Sequence, residues 1–226
     1  YISSLRERLA PSLKNIIYDS LLPNLTNSIK EKHHINLFPY VNLKGKTPNK
    51  GIVAFNDLPR YAMGYAALFH TISFTVETHM LKPFPLRVEA TLAFMEELIN
   101  WTALNKFSIE NARNLAIDFT SNTTHLKYNY LSSSKKDSIL FKGYEHSFPI
   151  HKITGLSRLK YDTTKPYIKF IPYYHSSIAK DSVQLPNFYY ITAQEKDVVE
   201  RLLANKVKME NIVKDTVMNL GVFRVV

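Results

Sequence analysis

Hydrophobic periodicity changes along this chain, and that change limits the folds open to it. Over residues 3–32, Leu13, Ile16, Ile17 and Leu21, then Leu22, Leu25 and Ile29, recur three or four residues apart, the spacing that sets side chains on one face of an α-helix. Pro11 and Pro23 stand where first-turn prolines are tolerated. Residues 36–43 and 51–55 read as short strands joined by the turn-rich segment 44–50. Residues 61–69 read as a helix and the β-branched, aromatic run 72–77 as a buried strand. A long amphipathic helix is expected over 83–105, with Val88, Leu92, Met95, Leu98 and Ile99 on an apolar face that packs across a sheet, and Arg87, Glu89, Glu96 and Glu97 elsewhere. Ser108 is expected to cap another helix, striped by Ile109, Ala112, Leu115, Ala116 and Phe119.

Beyond residue 122 the period falls to two. Segments 126–131, 138–142, 167–174 and 188–192 alternate or run β-branched and aromatic between Ser, Lys, Pro and Asp clusters. Residues 195–205 return to helical spacing, and 219–226 are expected to form a terminal strand. The boundary between the two regimes falls between 105 and 122. The expected fold is therefore α/β: residues 1–105 as a mixed-sheet sandwich portion, then residues 106–226 as a basic, β-rich appended domain closed by a strand-helix-strand unit.

With 45% hydrophobic and 12% aromatic residues in 226, the chain has the material for a core, and 21% charged residues do not make a disordered chain. The absence of cysteine excludes disulfides, thiolate metal sites and a cysteine nucleophile. The apolar stretch 62–76 is broken by Gly64, His70 and Ser73 and is too short to cross a bilayer. The net charge of +10 suits a polyanion partner, and it is concentrated in residues 106–226, which hold 18 Lys+Arg against 11 Asp+Glu. Those lysines are scattered among strands, which favours a solvated face over nucleic-acid binding. Beginning at Tyr1, without an initiator Met or a signal-type leader, the sequence is expected to continue upstream.

The densest chemical segment is 59–83. Within it, Ser73-Phe74-Thr75-Val76-Glu77 resembles the strand that ends in the catalytic glutamate of the carboxypeptidase A-like zinc metallopeptidases. Gly64-Tyr65-Ala66-Ala67-Leu68-Phe69, followed by Glu77-Thr78-His79-Met80-Leu81-Lys82-Pro83, is similar to a bacterial branch of that family common in Bacteroidetes. The likeness extends through Phe141-Lys142-Gly143-Tyr144-Glu145 and Gly155-Leu156-Ser157-Arg158-Leu159, so it spans nearly the whole chain.

The resemblance implies the C-terminal part of a peptide hydrolase, exported to the periplasm or secreted, with Glu77 as general base and later proton donor. It also implies zinc, bound by a His-x-x-Glu pair and a later His, all upstream of the glutamate. Residues 1–76 contain no His-x-x-Glu, and only His33, His34 and His70 precede Glu77. His33 and His34 read as surface residues, since adjacent histidines on a regular helix cannot both face one ion. The zinc ligands are therefore expected upstream of Tyr1. Independently of the likeness, a carboxylate at a strand end can face a crevice and take a proton from water.

Arg60 is a candidate clamp for a substrate carboxylate, which a guanidinium grips bidentately. Tyr61 and Tyr65 are candidates for a hydroxyl over bound substrate, with core packing the alternative for Tyr65. His79, two residues from Glu77, reads as a packing or supporting residue rather than a metal ligand, and His146, His151 and His175 are discounted likewise. Gly-x-Gly-x-x-Gly, Walker A, Gly-x-Ser-x-Gly and His-Glu-x-x-His are all absent, leaving nucleotide binding, serine hydrolysis and the zincin mechanism without support. Two alternatives to a peptidase stay open: a polyanion or cell-wall binding module, and a pseudoenzyme that keeps Glu77 without zinc.

Overall fold

A computed structural model describes residues 1–222. It combines helices with mixed sheets, the α/β class in its general sense. Contacts gather the chain into two compact units, Tyr1–Leu185 and Pro186–Val226.

The first unit opens with strand β1 (Ile2–Ser3), then α1 (Pro11–Asn15), a π-helical stretch (Ile16–Leu21) and α2 (Leu22–His33). Pro23 explains the wide middle. Its ring has no N–H for the Asp19 carbonyl and crowds it, so the backbone loosens to i→i−5 bonding and the Leu22 N–H reaches the Ile17 carbonyl. The helical run keeps its apolar face. Leu21, Leu25 and Ile29 are buried with Ile2, Phe94 and Trp101, while Leu13 packs with Ala112 and Ala116 in a neighbouring cluster.

Next come β2 (Ile52–Val53), α3 (Ala62–Leu68) and β3 (Thr75–Val76). The expected strand at 36–43 is reduced to single bridges at Pro39 and Leu43, and the one at 72–77 to two residues paired antiparallel with β1. Gly51, at φ 92°, lets β2 lie parallel to a later strand, because a Cβ there would meet the Pro172 carbonyl oxygen at 2.4 Å. Gly64 is needed for space: a Cβ on it would stand 2.1 Å from the Leu58 carbonyl oxygen, whose loop folds back over α3. Gly64→Ala gains about 1 kcal/mol in helix propensity but forces α3 off that backbone, an overpacking cost of about 1–3 kcal/mol. A lower midpoint in chemical denaturation is the expected result.

The long helix α4 (Phe84–Leu104) forms as expected, but of its expected apolar face only Leu98 packs against the core. The helix buries Ala93, Phe94, Glu97 and Trp101, whereas Val88, Leu92, Met95 and Ile99 are each about half exposed or more. A helix apolar on nearly every side does not declare which side its first neighbour covers. Here α2 decides, because its Ser28, Lys32 and His33 receive the Glu97 carboxylate. Helix α5 (Lys106–Ser121) starts two residues before the expected Ser108 cap and packs on α1, with Ser12 Oγ donating to the Ala112 carbonyl at 2.7 Å.

The remainder of the first unit is two nested antiparallel ribbons. The outer one pairs β4 (His125–Ser132) with β7 (Ser177–Gln184), and the inner one pairs β5 (Asp137–Ser147) with β6 (Lys160–Tyr174). Strand β7 was not expected from the sequence. The end of β6 also pairs in parallel with β2, Ile52 opposite Tyr173, tying the inner ribbon to the helical body. Elements on both sides of residue 105 thus share one compact unit.

The second unit holds α6 (Lys196–Ala204), as expected. Residues 188–192 form no strand; Phe188 and Tyr189 are largely exposed, and β-propensity without a pairing partner does not make a ladder. Of the expected terminal strand, residues 219–222 carry none and 223–226 lie outside the described residues. Among the described residues no helix is long and apolar enough to cross a membrane.

Candidate functional site

Glu77 follows directly on β3. Register pairs Ile2 with Val76 and Ser3 with Thr75, and the ladder runs one step further: the Glu77 N–H donates to the Tyr1 carbonyl at 2.9 Å, and the Tyr1 nitrogen donates to the Glu77 carbonyl at 2.7 Å. The backbone is therefore fixed on both sides while the side chain is exposed. Among the described residues its carboxylate makes no hydrogen bond or ion pair. His79 lies in the following turn, where Nδ1 accepts the Leu81 N–H at 3.2 Å.

Arg60 and Tyr61 are brought together at the start of α3. The guanidinium donates to the Tyr61 hydroxyl at 3.1 Å and lies 5.0 Å from its ring centroid. Both are exposed. Tyr65, one turn on, meets Phe69 edge to face at 5.1 Å and is half exposed rather than sealed in the core. No hydrogen bond or ion pair among the described residues joins Arg60 or Tyr61 to Glu77.

The described residues contain no group of three or more His, Cys, Asp and Glu that could hold a metal. His33, expected at the surface, is instead half buried, with Nε2 3.3 Å from Glu97. His34 is exposed and adopts φ 57° as it closes α2. His70 bonds through Nε2 to Thr120 Oγ1 at 2.9 Å, and burial, with Arg113 nearby, lowers its pKa.

A second polar arrangement was discounted in the sequence and emerges only in the fold. Where β6 turns into β7, His175 Nε2 bonds to the Asp137 carboxylate at the start of β5. That hydrogen bond holds the Asp137 carboxyl below its ordinary range. An ionised Asp137 requires the ring proton on Nε2, which leaves Nδ1 an acceptor in the neutral ring. His175 Nδ1 and the neighbouring Ser176 Oγ are both buried without a hydrogen-bond partner.

These two side chains line a cavity of about 50 Å³, together with Arg6, Glu7, Asn56, Tyr130 and Ser177. A larger cavity of about 160 Å³ shares its Arg6, Ala54 and Phe55 wall and is closed by Tyr18, Tyr40 and Tyr173 among others. Burial raises the Tyr18 and Tyr173 hydroxyl pKa values, so both remain protonated at neutral pH. In the sequence the signal was the run Tyr173-Tyr174-His175-Ser176-Ser177 at a strand end, and nothing local announced that it would meet residues 4–7.

Phe141 opposes Lys169 and Lys142 opposes Ile168 in adjacent registers of the inner ribbon, so the two lysines point to opposite sides. No protein-family model, curated protein or solved structure matches this chain.

Proposed function

We propose that this chain is the C-terminal portion of a carboxypeptidase-type zinc metallopeptidase in which Glu77 is the general base. The observation that carries the reading is the position of Glu77: its backbone is locked to Tyr1 at the end of the β1–β3 ladder, and its exposed carboxylate makes no hydrogen bond or ion pair among the described residues. The family-like sequence around Glu77 supports the same role.

The chain's own described residues do not fit a zinc ion, and the ligands are assigned to sequence upstream of Tyr1. Glu77 itself accepts a proton from the attacking water and later hands one to the leaving amine, which a carboxylate on a fixed backbone is suited to do. Arg60, already steadied by Tyr61, is the proposed clamp for the substrate's terminal carboxylate, with Tyr61 and Tyr65 on the same side of α3's start. The exposed apolar side of α4, at Leu92, Met95 and Ile99, is assigned to packing against the upstream half. On this reading the protein works in the periplasm or outside the cell.

The test is Glu77→Gln in the protein that contains this chain, assayed for release of the C-terminal residue of a peptide, with zinc measured on the same sample. Zinc-free, inactive wild-type protein would make this a pseudoenzyme.

A further inference from the structure

The paired cavities between the helical body and the root of the inner ribbon carry a site separate from Glu77, Arg60, Tyr61 and Tyr65. Arg6 stands in the wall common to both. Its guanidinium lies over the Tyr18 ring, 4.4 Å from the centroid, which holds the plane and leaves the N–H edge available. The one carboxylate within 4 Å of it among the described residues is Glu7, with Nε to Oε1 at 3.9 Å, beyond hydrogen-bond reach. Glu7 also faces Lys14 at 3.6 Å and lines the smaller cavity.

That smaller cavity holds His175, whose side chain is nine-tenths buried. Asp137 occupies Nε2, and Nδ1 has no partner. A buried acceptor left unsatisfied is costly, and an unpartnered group of this kind calls for a ligand or water. Ser176 Oγ beside it is in the same condition. The polar end thus offers one cation, one anion and two neutral acceptors, while Tyr18, Tyr40, Phe55 and Tyr173 wall the larger space.

We propose that this cleft binds a small zwitterion with an aromatic side chain, an α-amino acid by class. Its carboxylate meets the Arg6 fork, its ammonium donates to His175 Nδ1, Ser176 Oγ and Glu7, and its ring enters the larger cavity. Glu7 and Asp137 disfavour a bare phosphate by like-charge repulsion. At about 160 Å³ the larger cavity has room for one aromatic side chain. The inference goes beyond the peptidase reading, and its readout is binding alone.

Calorimetric titration of the full chain with L-phenylalanine should give saturable one-site binding. Phenylpropionate, lacking the ammonium, and phenethylamine, lacking the carboxylate, should each bind at least tenfold more weakly. Arg6→Gln, confirmed as folded by circular dichroism, should lower the affinity at least tenfold, and Ser176→Ala should lower it with little effect on the fold. The analogue series needs no variant, so a misfolded Arg6→Gln would not rescue the idea. No saturable binding at millimolar phenylalanine, an affinity for either truncated analogue equal to that for phenylalanine, or equal competition by inorganic phosphate would overturn it.

Discussion

Glu77→Gln should lower peptide turnover in the parent protein by about 10²- to 10⁴-fold, the usual contribution of a positioned general base, while zinc content and melting temperature stay unchanged. The substitution keeps the shape of the side chain and removes only its ability to take a proton. It should not disturb folding, because the Glu77 side chain is exposed and makes no hydrogen bond or ion pair among the described residues; what holds this position is the backbone ladder to Tyr1. Exposed substitutions of this type lie within about ±0.5 kcal/mol. The effect should therefore appear in kcat with little change in KM, since a base that acts on water contributes in the transition state more than in the ground state. Turnover unaffected by the change would remove Glu77 from the mechanism and with it the reading of this chain. A loss of activity that follows a loss of zinc or of fold would instead make Glu77 structural.

Helices were legible in this sequence because their signal is local and repeated. Leu13, Leu21, Leu25 and Ile29 carry the 3.6-residue period through Pro23, and the π-helical turn absorbs the proline without moving the buried face. Strands depended on partners far away in sequence. Residues 188–192 have strand-forming side chains and no ladder, while the more polar Ser177–Gln184 becomes β7 because His125–Ser132 lies alongside it. Strand β1 is only two residues long, too short for any period, yet it fixes the backbone of Glu77. The candidate site divides in the same way. Glu77 was singled out by a contiguous run and Arg60 and Tyr61 by residue type alone, whereas the cleft of Arg6, Tyr18 and His175, with Asp137 behind the imidazole, draws on four separate segments. The face of α4 was misjudged for a related reason: counting apolar residues identifies an apolar helix, but the neighbour that matched Glu97 selected the buried side.

Glu97→Ala should destabilise the protein by roughly 2–3 kcal/mol, the order expected for losing hydrogen bonds made to a buried charged group. Glu97 is 6% exposed in the middle of α4. Its carboxylate accepts from Ser28 Oγ, from Lys32 Nζ at 2.9 Å and from the half-buried His33 ring at 3.3 Å, all on α2. These contacts make α2 and α4 one packed pair around Leu25, Ile29, Phe94 and Trp101. The hydrogen bond from Ser28, followed by that from Lys32, outweighs burial and brings the Glu97 pKa down from 4.5 to about 2. A folded-state value below the unfolded one means that the stabilisation is fully present above about pH 4.5 and is lost as pH falls toward 2. Denaturation midpoints measured across that window should fall steeply for the natural chain. For Glu97→Gln, which cannot ionise, they should start lower and fall less. Parallel curves for the two proteins would show that Glu97 is not the group whose protonation loosens the α2–α4 pair. Lys32 is 60% exposed on its side chain and regains water when the carboxylate is gone, so the variant's penalty comes chiefly from Ser28 and His33. Ser28→Ala should consequently reproduce a larger share of it than Lys32→Gln.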